Sequence, residues 1–191
     1  MIQTAETPNP SEPPSASERA IAARLLKQVV VDGRTSDQAL LALPATPLGR
    51  ELFLGSLRNY FTVSSAIEAR LRRPLRRKDQ DLRCLMIVGA YQLFHLRVPD
   101  HAAVHTTVNG CELLGKPWAK GLVNAVLRHV EAPNERSFEL PEWMERRLRE
   151  DYPTHAEAIM VACLERAPMV LRINQRRGDP LDYRDHLTAQ G

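Results

Sequence analysis

The sequence predicts an all-α helical bundle followed by the start of a small α+β domain, and three observations carry that reading. Apolar residues recur at helical spacing from Ile21 to Val130, with no strand-like alternation between them. One stretch, Leu82 to Phe94, is apolar nearly all round, which places it in the middle of a bundle. The first alternating segment, Met169-Val170-Leu171-Arg172-Ile173-Asn174, comes only near the end.

Residues 1–16 are rich in Pro, Ser, Thr and Glu with little to bury. Ordering them would cost backbone entropy without hydrophobic return, so a disordered tail is expected. A helical domain is expected over 17–131. Ser15-Ala16-Ser17-Glu18 has the spacing of a capping box, and the helix it opens runs to about Val31. Ile21, Leu25 and Val29 centre its apolar face, Ala22, Leu26 and Val30 widen it, and Gly33 supplies a left-handed stop. Arg19, Arg24 and Lys27 fall off that stripe, as a solvated helix face or as a phosphate-contacting edge. A short helix over Asp37–Leu43 follows. Thr46-Pro47 then offers an N-cap with proline at the first helical position. The segment that it opens runs to Leu71, bends near Thr62, and buries Leu48, Leu52, Leu54, Leu57, Phe61, Ile67 and Leu71.

Six cations stand in the nine residues from Arg70 to Lys78 without an acidic residue among them: Arg70, Arg72, Arg73, Arg76, Arg77 and Lys78. Pro74 interrupts the run and so presents it at a helix-to-helix junction. Phosphates neutralised there would release counterions, but a basic loop without interleaved aromatics carries no sequence readout. Nucleic-acid contact and a solvated turn both fit.

Asp79 or Asp81 caps the central helix. Gly89 within it gives up about 1 kcal/mol of helix propensity relative to alanine, which close approach of a neighbouring helix would justify. Val98-Pro99 ends that helix, and Asp100 is the expected N-cap of the next, His101–Leu114, which Gly115 stops. Pro117 opens the last bundle helix, with Leu122, Val123, Val126, Leu127 and Val130 on its buried side. Residues 132–139 read as a polar linker and 140–191 as a partial α+β domain. There Leu140-Pro141-Glu142-Trp143 opens two helices that break at Pro153, and Asp182–Ala189 forms another after the strand. A lone strand cannot satisfy its own backbone, so the chain is expected to stop mid-domain.

A formal charge of +3 and a pI near 8.9 are compatible with an anionic partner. The three cysteines, Cys84, Cys111 and Cys163, are odd in number and far apart, which argues for a reducing compartment and structural thiols. No apolar run suits a signal peptide or a membrane span, so a cytoplasmic location without membrane contact is expected. His101 and His105 share a helix face at i,i+4, but HAAVH lacks both a third ligand and the glutamate of the zinc peptidases, and no metal site is expected.

Several of these segments carry a resemblance: Gly89-Ala90-Tyr91-Gln92-Leu93, Pro99-Asp100-His101-Ala102-Ala103-Val104, Gly121-Leu122-Val123-Asn124-Ala125-Val126-Leu127-Arg128, Leu140-Pro141-Glu142-Trp143 and Leu171-Arg172-Ile173-Asn174. In order and spacing they resemble the N-terminal half of ribosomal RNA small subunit methyltransferase B, the Sun/Fmu family, over essentially everything from Ser17 onward. The first part is similar to the helical domain of the antitermination factor NusB, and the second to the small domain that precedes the methyltransferase core. The resemblance implies an RNA-binding bundle that helps direct cytosine-C5 methylation of 16S ribosomal RNA. It implies that RNA and the C-terminal methyltransferase domain are partners.

The family's reaction, as the resemblance implies it, uses one cysteine thiolate to attack C6 of the cytosine, S-adenosylmethionine to methylate C5, and a second cysteine in product release. Those cysteines lie in Pro-Cys and Thr-Cys contexts. Here they follow Arg83, Gly110 and Ala162, and no Gly-x-Gly pair occurs, so neither catalytic residues nor a cofactor is expected in this chain. S-adenosylmethionine would belong to the missing domain, and the chain would be a fragment or truncated product. Arg172 and Asn174 match the family's Leu-Arg-x-Asn strand. With Arg19, Arg24, Lys27 and the cluster Arg70, Arg72, Arg73, Arg76, Arg77 and Lys78 they are the candidate RNA-binding residues. Asn124 is read as a helix-packing hydrogen bonder, and Thr106 and Asn109 stand where family members commonly carry acidic residues. Two other readings stay open: a free-standing NusB-like antitermination factor, and a structural protein-interaction bundle.

Overall fold

The computed structural model describes residues 14–41, 46–133, 140–165, 168, 170–174 and 176–190. Helices α1 (Pro14–Val30), α3 (Pro47–Arg58), α4 (Tyr60–Glu68), α5 (Gln80–His95), α6 (Asp100–Leu113) and α7 (Lys120–His129) make the bundle, with the short α2 (Ser36–Leu40) against α1. Beyond it lie α8 (Glu142–Asp151), α9 (Ala156–Leu164) and α10 (Pro180–Gln190).

Helix α5 is the axis. Leu82, Cys84, Leu85, Met86, Ile87, Val88 and Ala90 are fully buried, so every side of the helix meets another element: α1, α3, α4, α6 and α7 all pack on it. Its all-round apolar character is thus satisfied by encirclement. Gly89 sits where a Cβ would come within 2.8 Å of Leu127 on α7 and 2.9 Å of Thr107 on α6, the close approach its cost in propensity implies. The stops at Gly33 (φ 73°) and Gly115 (φ 69°) are both left-handed, a conformation open to glycine without a Cβ penalty.

Local chemistry sets the helix starts. Thr46 Oγ1 accepts from the Gly49 amide at 3.1 Å, with Pro47 at the first position of α3. Helix α2 opens with a full capping box that sequence reading passed over: Thr35 Oγ1 accepts from the Gln38 amide, and Gln38 Oε1 from the Thr35 amide, both at 3.2 Å. Asp100 is the first residue of α6 and makes no cap; Pro99 holds the N-cap position. Of the expected tail, residues 1–13 lie outside the described residues, while 14–16 are already helical and Ala16 is buried. The Ser15 side chain, residues 42–45 and residues 134–139 of the expected linker also lie outside them.

Two further features of the fold differ from expectation. The bend between α3 and α4 falls at Asn59 instead of Thr62, where the Asn59 side-chain amide donates to the Gly55 carbonyl at 3.0 Å and competes with continuation of the helix. Restarting there turns α4 so that Thr62, Val63 and Ile67 face inward, and Phe61 is 41% exposed. Second, no strand forms among the described residues of 169–174: residues 170–174 have no regular structure, and Val170 is 85% exposed. A solitary extended segment has no ladder to hold it. Met169 lies outside the described residues. Helices α8 and α9 do break around Pro153 and pack on each other through buried Ala156 and Met160, and α10 spans the expected Asp182–Ala189.

Gly55 on α3 presses face to face with Tyr91 of α5: a Cβ there would lie 2.1 Å from the phenol ring, whose hydroxyl donates to Glu51 Oε1 at 2.6 Å. Gly55→Ala must therefore displace a ring held at both ends, and is expected to destabilise the fold by about 1–3 kcal/mol in denaturant unfolding. Combining it with Tyr91→Leu should cost clearly less than the sum of the two single changes. Strict additivity would show that the ring is not the obstacle.

Candidate nucleic-acid interface

The basic run leaves α4 at Arg70, turns at Pro74 and re-enters helix through a 3-10 turn, Arg77–Asp79, that leads into α5. Helix α4 has already ended at Glu68, Pro74 keeps helix from re-forming within the loop, and α5 cannot begin until its apolar face reaches the core at Leu82, so the polar cations are left outside. Arg72, Arg73, Arg77 and Lys78 are exposed and make no hydrogen bond or ion pair with their side chains among the described residues. Arg70 is paired with Glu131, and Arg76 reaches Asp79 at 3.1 Å while staying 69% exposed.

The loop is pinned from beneath. Lys116, in the turn between α6 and α7, donates to the Lys78 carbonyl at 2.7 Å, stands 3.3 Å from Asp79 Oδ1 and bonds Asp81. Burial works to raise the pKa of Asp79, but hydrogen bonds and charge from Lys116 and Arg76 outweigh it and hold the carboxyl below its ordinary range. Asp79 is therefore spent on this clamp and makes no side-chain cap to α5.

The same clamp brings Trp118 to the loop. This indole, 60% exposed on the 3-10 turn Pro117–Ala119, lines one groove with Arg72, Arg73, Leu122, Val126 and His129. The interleaved aromatic missing from the loop's own sequence comes from about forty positions further along the chain. Nothing local to Trp118 marks it, since an isolated tryptophan near a helix start reads equally well as core.

The other sequence-derived candidates fall in different places. Arg19 is corrected: it is 4% exposed, and its Nε donates to Gln92 Oε1 at 2.9 Å inside the bundle. Gln92 in turn donates to the Val88 carbonyl at 3.0 Å and to Thr107 Oγ1 at 3.3 Å, so one buried polar chain ties α1, α5 and α6. Burial lowers the Arg19 pKa, against the nearby charge of Glu18. A buried cation fully hydrogen-bonded in this way is a packing element, because a group without solvent access cannot meet a phosphate at the surface. Arg24 is exposed and donates to the neutral Leu113 carbonyl, and Lys27 is engaged by Asp32 at 2.9 Å, so of these three cations of α1 Arg24 alone keeps an exposed charge without an acidic partner among the described residues. Arg172 and Asn174 are exposed in the irregular segment after α9, where Asn174 Oδ1 accepts from the Arg176 amide. Asn124 makes no hydrogen bond among the described residues and lines a hollow beside His101 and His105. Thr106 donates to the Ala102 carbonyl at 2.7 Å, and Asn109 bonds His105, both within α6.

Among the described residues no group of three or more His, Cys, Asp or Glu side chains could hold a metal, and no helix is long and apolar enough to cross a membrane. Burial pushes the Cys84 thiol up to about 12 and Cys111 up to about 11, which keeps both protonated, whereas Cys163 is exposed.

Bundle and surface together define a helical domain whose loop before α5 carries exposed cations without an acidic partner among the described residues. The chain belongs to the NusB family, whose model matches residues 16–132. A second family model, described as Methyltr_RsmF/B-like, ferredoxin-like domain, matches residues 140–191. The chain is 39% identical over 169 residues to the probable ribosomal RNA small subunit methyltransferase B of Coxiella burnetii, covering 82% of this chain and 39% of that protein. It is 38% identical over 184 residues to the ribosomal RNA small subunit methyltransferase B of Xylella fastidiosa, covering 91% of this chain and 43% of that one. The chain thus corresponds to the NusB-like N-terminal region of these relatives and spans about 40% of their length.

Two outcomes follow from the site's chemistry. The folded pKa of Asp79 lies below the ordinary value of about 3.9, so its charged form stabilises the fold fully above that value. This contribution is lost as pH falls through the depressed folded pKa. Asp79→Asn should accordingly lower the denaturation midpoint at neutral pH and converge with the parent chain in strong acid; a gap unchanged by acid would remove Asp79 from the clamp. In the native chain an aromatic disulfide reagent should titrate Cys163 rapidly, with Cys84 and Cys111 reacting only after unfolding. Fast reaction at either of the latter would contradict their enclosure.

Proposed function

We propose that this chain is the RNA-binding and targeting region of a 16S ribosomal RNA cytosine-C5 methyltransferase, working in the cytoplasm. The S-adenosylmethionine-dependent catalytic domain would lie in a part of the protein other than these 191 residues. The observation that carries the reading is the basic loop: four cations, Arg72, Arg73, Arg77 and Lys78, stand at the surface of a NusB-family bundle without an acidic partner among the described residues. Such a cluster gains by neutralising phosphates and releasing their counterions. The relatives' names speak of ribosomal RNA methylation, which supplies the RNA class. A free-standing antitermination factor would need nothing after the bundle, whereas residues 140–191 match a methyltransferase-associated domain. Arg172 in that second part is a further candidate contact, either to RNA or to the catalytic domain.

Binding of a 16S-derived RNA should weaken steeply with salt. Replacing Arg72 and Arg73 by Glu should reduce the log–log salt slope by about 0.7 for each single-strand phosphate contact removed. Methyl transfer by this chain alone should be zero. Absence of RNA affinity at low salt would overturn the RNA-binding role, and turnover by the chain alone would overturn the assignment of catalysis to a separate domain.

A further inference from the structure

We infer that the groove between the basic loop and α7 is a binding site for single-stranded RNA, in which an unpaired base stacks on Trp118 while Arg72 and Arg73 hold the flanking phosphates. This rests on the RNA-binding reading and goes beyond it by naming the form of the nucleic acid and the group that grips the base.

Three features of the groove support it. The indole is 60% exposed, while Ala119 beside it is fully buried, so the turn is anchored and the ring left in water. Second, the turn that carries the ring is held in place before any ligand arrives. Gly115 turns left-handed, the Lys116 amide donates to the Cys111 carbonyl at 2.8 Å, and the Lys116 ammonium is clamped at Lys78, Asp79 and Asp81. An indole on a fixed turn has only its two side-chain torsions to lose on binding. Third, Arg72 and Arg73 line the same groove and are exposed, and neither pairs with a described acidic group; Asp79, which also lines the groove, is held by Arg76 and Lys116. The floor beneath is apolar, formed by Leu122 and Val126.

A flat aromatic face, an apolar floor and unpaired guanidinium groups along one rim match the chemistry of an unstacked nucleotide: base on ring, phosphate on cation. The bases of a duplex are stacked on one another and offer no free face, so a duplex could engage the arginines but not the indole. Recognition by stacking is also tolerant of sequence, because every base has a π-face. An acidic peptide could meet the arginines but has no group that needs the indole.

The chain has two tryptophans and four tyrosines, so in a Trp143→Phe background Trp118 becomes the sole tryptophan, whose emission can be excited at the red edge apart from the tyrosines. A short oligouridine should quench its emission saturably, and a blunt RNA duplex of equal length should bind at low salt without quenching. Trp118→Ala, whose fold is checked by its thermal midpoint, should weaken oligouridine binding roughly tenfold and change duplex binding less than twofold, and Trp118→Phe should recover most of the loss. Failure of the parent chain to bind either RNA at low salt would overturn both the RNA-binding reading and this site. Binding of oligouridine with unchanged Trp118 emission, or with equal affinity in Trp118→Ala, would overturn the stacking site alone. Quenching by polyglutamate as strong as by oligouridine would likewise overturn it, and assign the groove to an acidic chain.

Discussion

A helix apolar on every side is stable only when something stands on every side of it, and the rest of this bundle answers that requirement of α5. From Leu82 to Ala90 no side chain of α5 except Arg83 escapes burial, so five helices are recruited around it. The enclosure is tight enough that backbone must approach backbone at Gly89 and Gly55, where any side chain would collide with Leu127, Thr107 or Tyr91. A polar chain deep within it, Arg19–Gln92–Thr107, is tolerated because the groups satisfy one another.

The candidate interface is a consequence of how that axis begins. Leu71 and Leu75 of the segment before α5 pack against the core, but its six cations cannot enter and stand just outside it. The Lys116 clamp then ties the loop to the α6–α7 turn and sets Trp118 beside it. Arg83 fastens the other flank, where hydrogen bonds to Glu68 and Tyr60 overcome burial and raise its pKa. The surface is therefore built on the rigid end of the most buried element, which suits a site that must hold its shape before binding. The described part of residues 140–190 contrasts with it: Trp143, Tyr152, Leu181 and Tyr183 remain exposed, and only Ala156 and Met160 are buried among the described residues.

Most of the bundle was legible in the sequence because its signals are local. Gly33 and Gly115 stop helices, Thr46-Pro47 starts one, and the density of Leu82 to Phe94 demands a central position. What was misread depended on geometry that periodicity does not carry. Asn59 ends α3 through a side-chain hydrogen bond, and that break rotates Phe61 into solvent. Arg19 lies off the apolar stripe of α1, yet Gln92 stands opposite it and draws it inward. The alternation at 169–174 suggests a strand, but alternation states a preference for one face and provides no neighbour to pair with.

The sequence by itself determined the all-α bundle, the order of its helices, the central place of α5 and the existence of a basic loop at Arg70–Lys78. All of these follow from composition and spacing within a few turns of chain. Only the tertiary structure decided which cations are free. Arg70, Arg24 and Lys27 are taken up by partners, Arg19 is buried, and Arg72, Arg73, Arg77 and Lys78 are left to solvent. It also decided that Trp118 belongs with them. The reason is physical: a charge or an aromatic ring acquires a role from what lies within a few ångströms, and here those neighbours come from helices far apart in the chain.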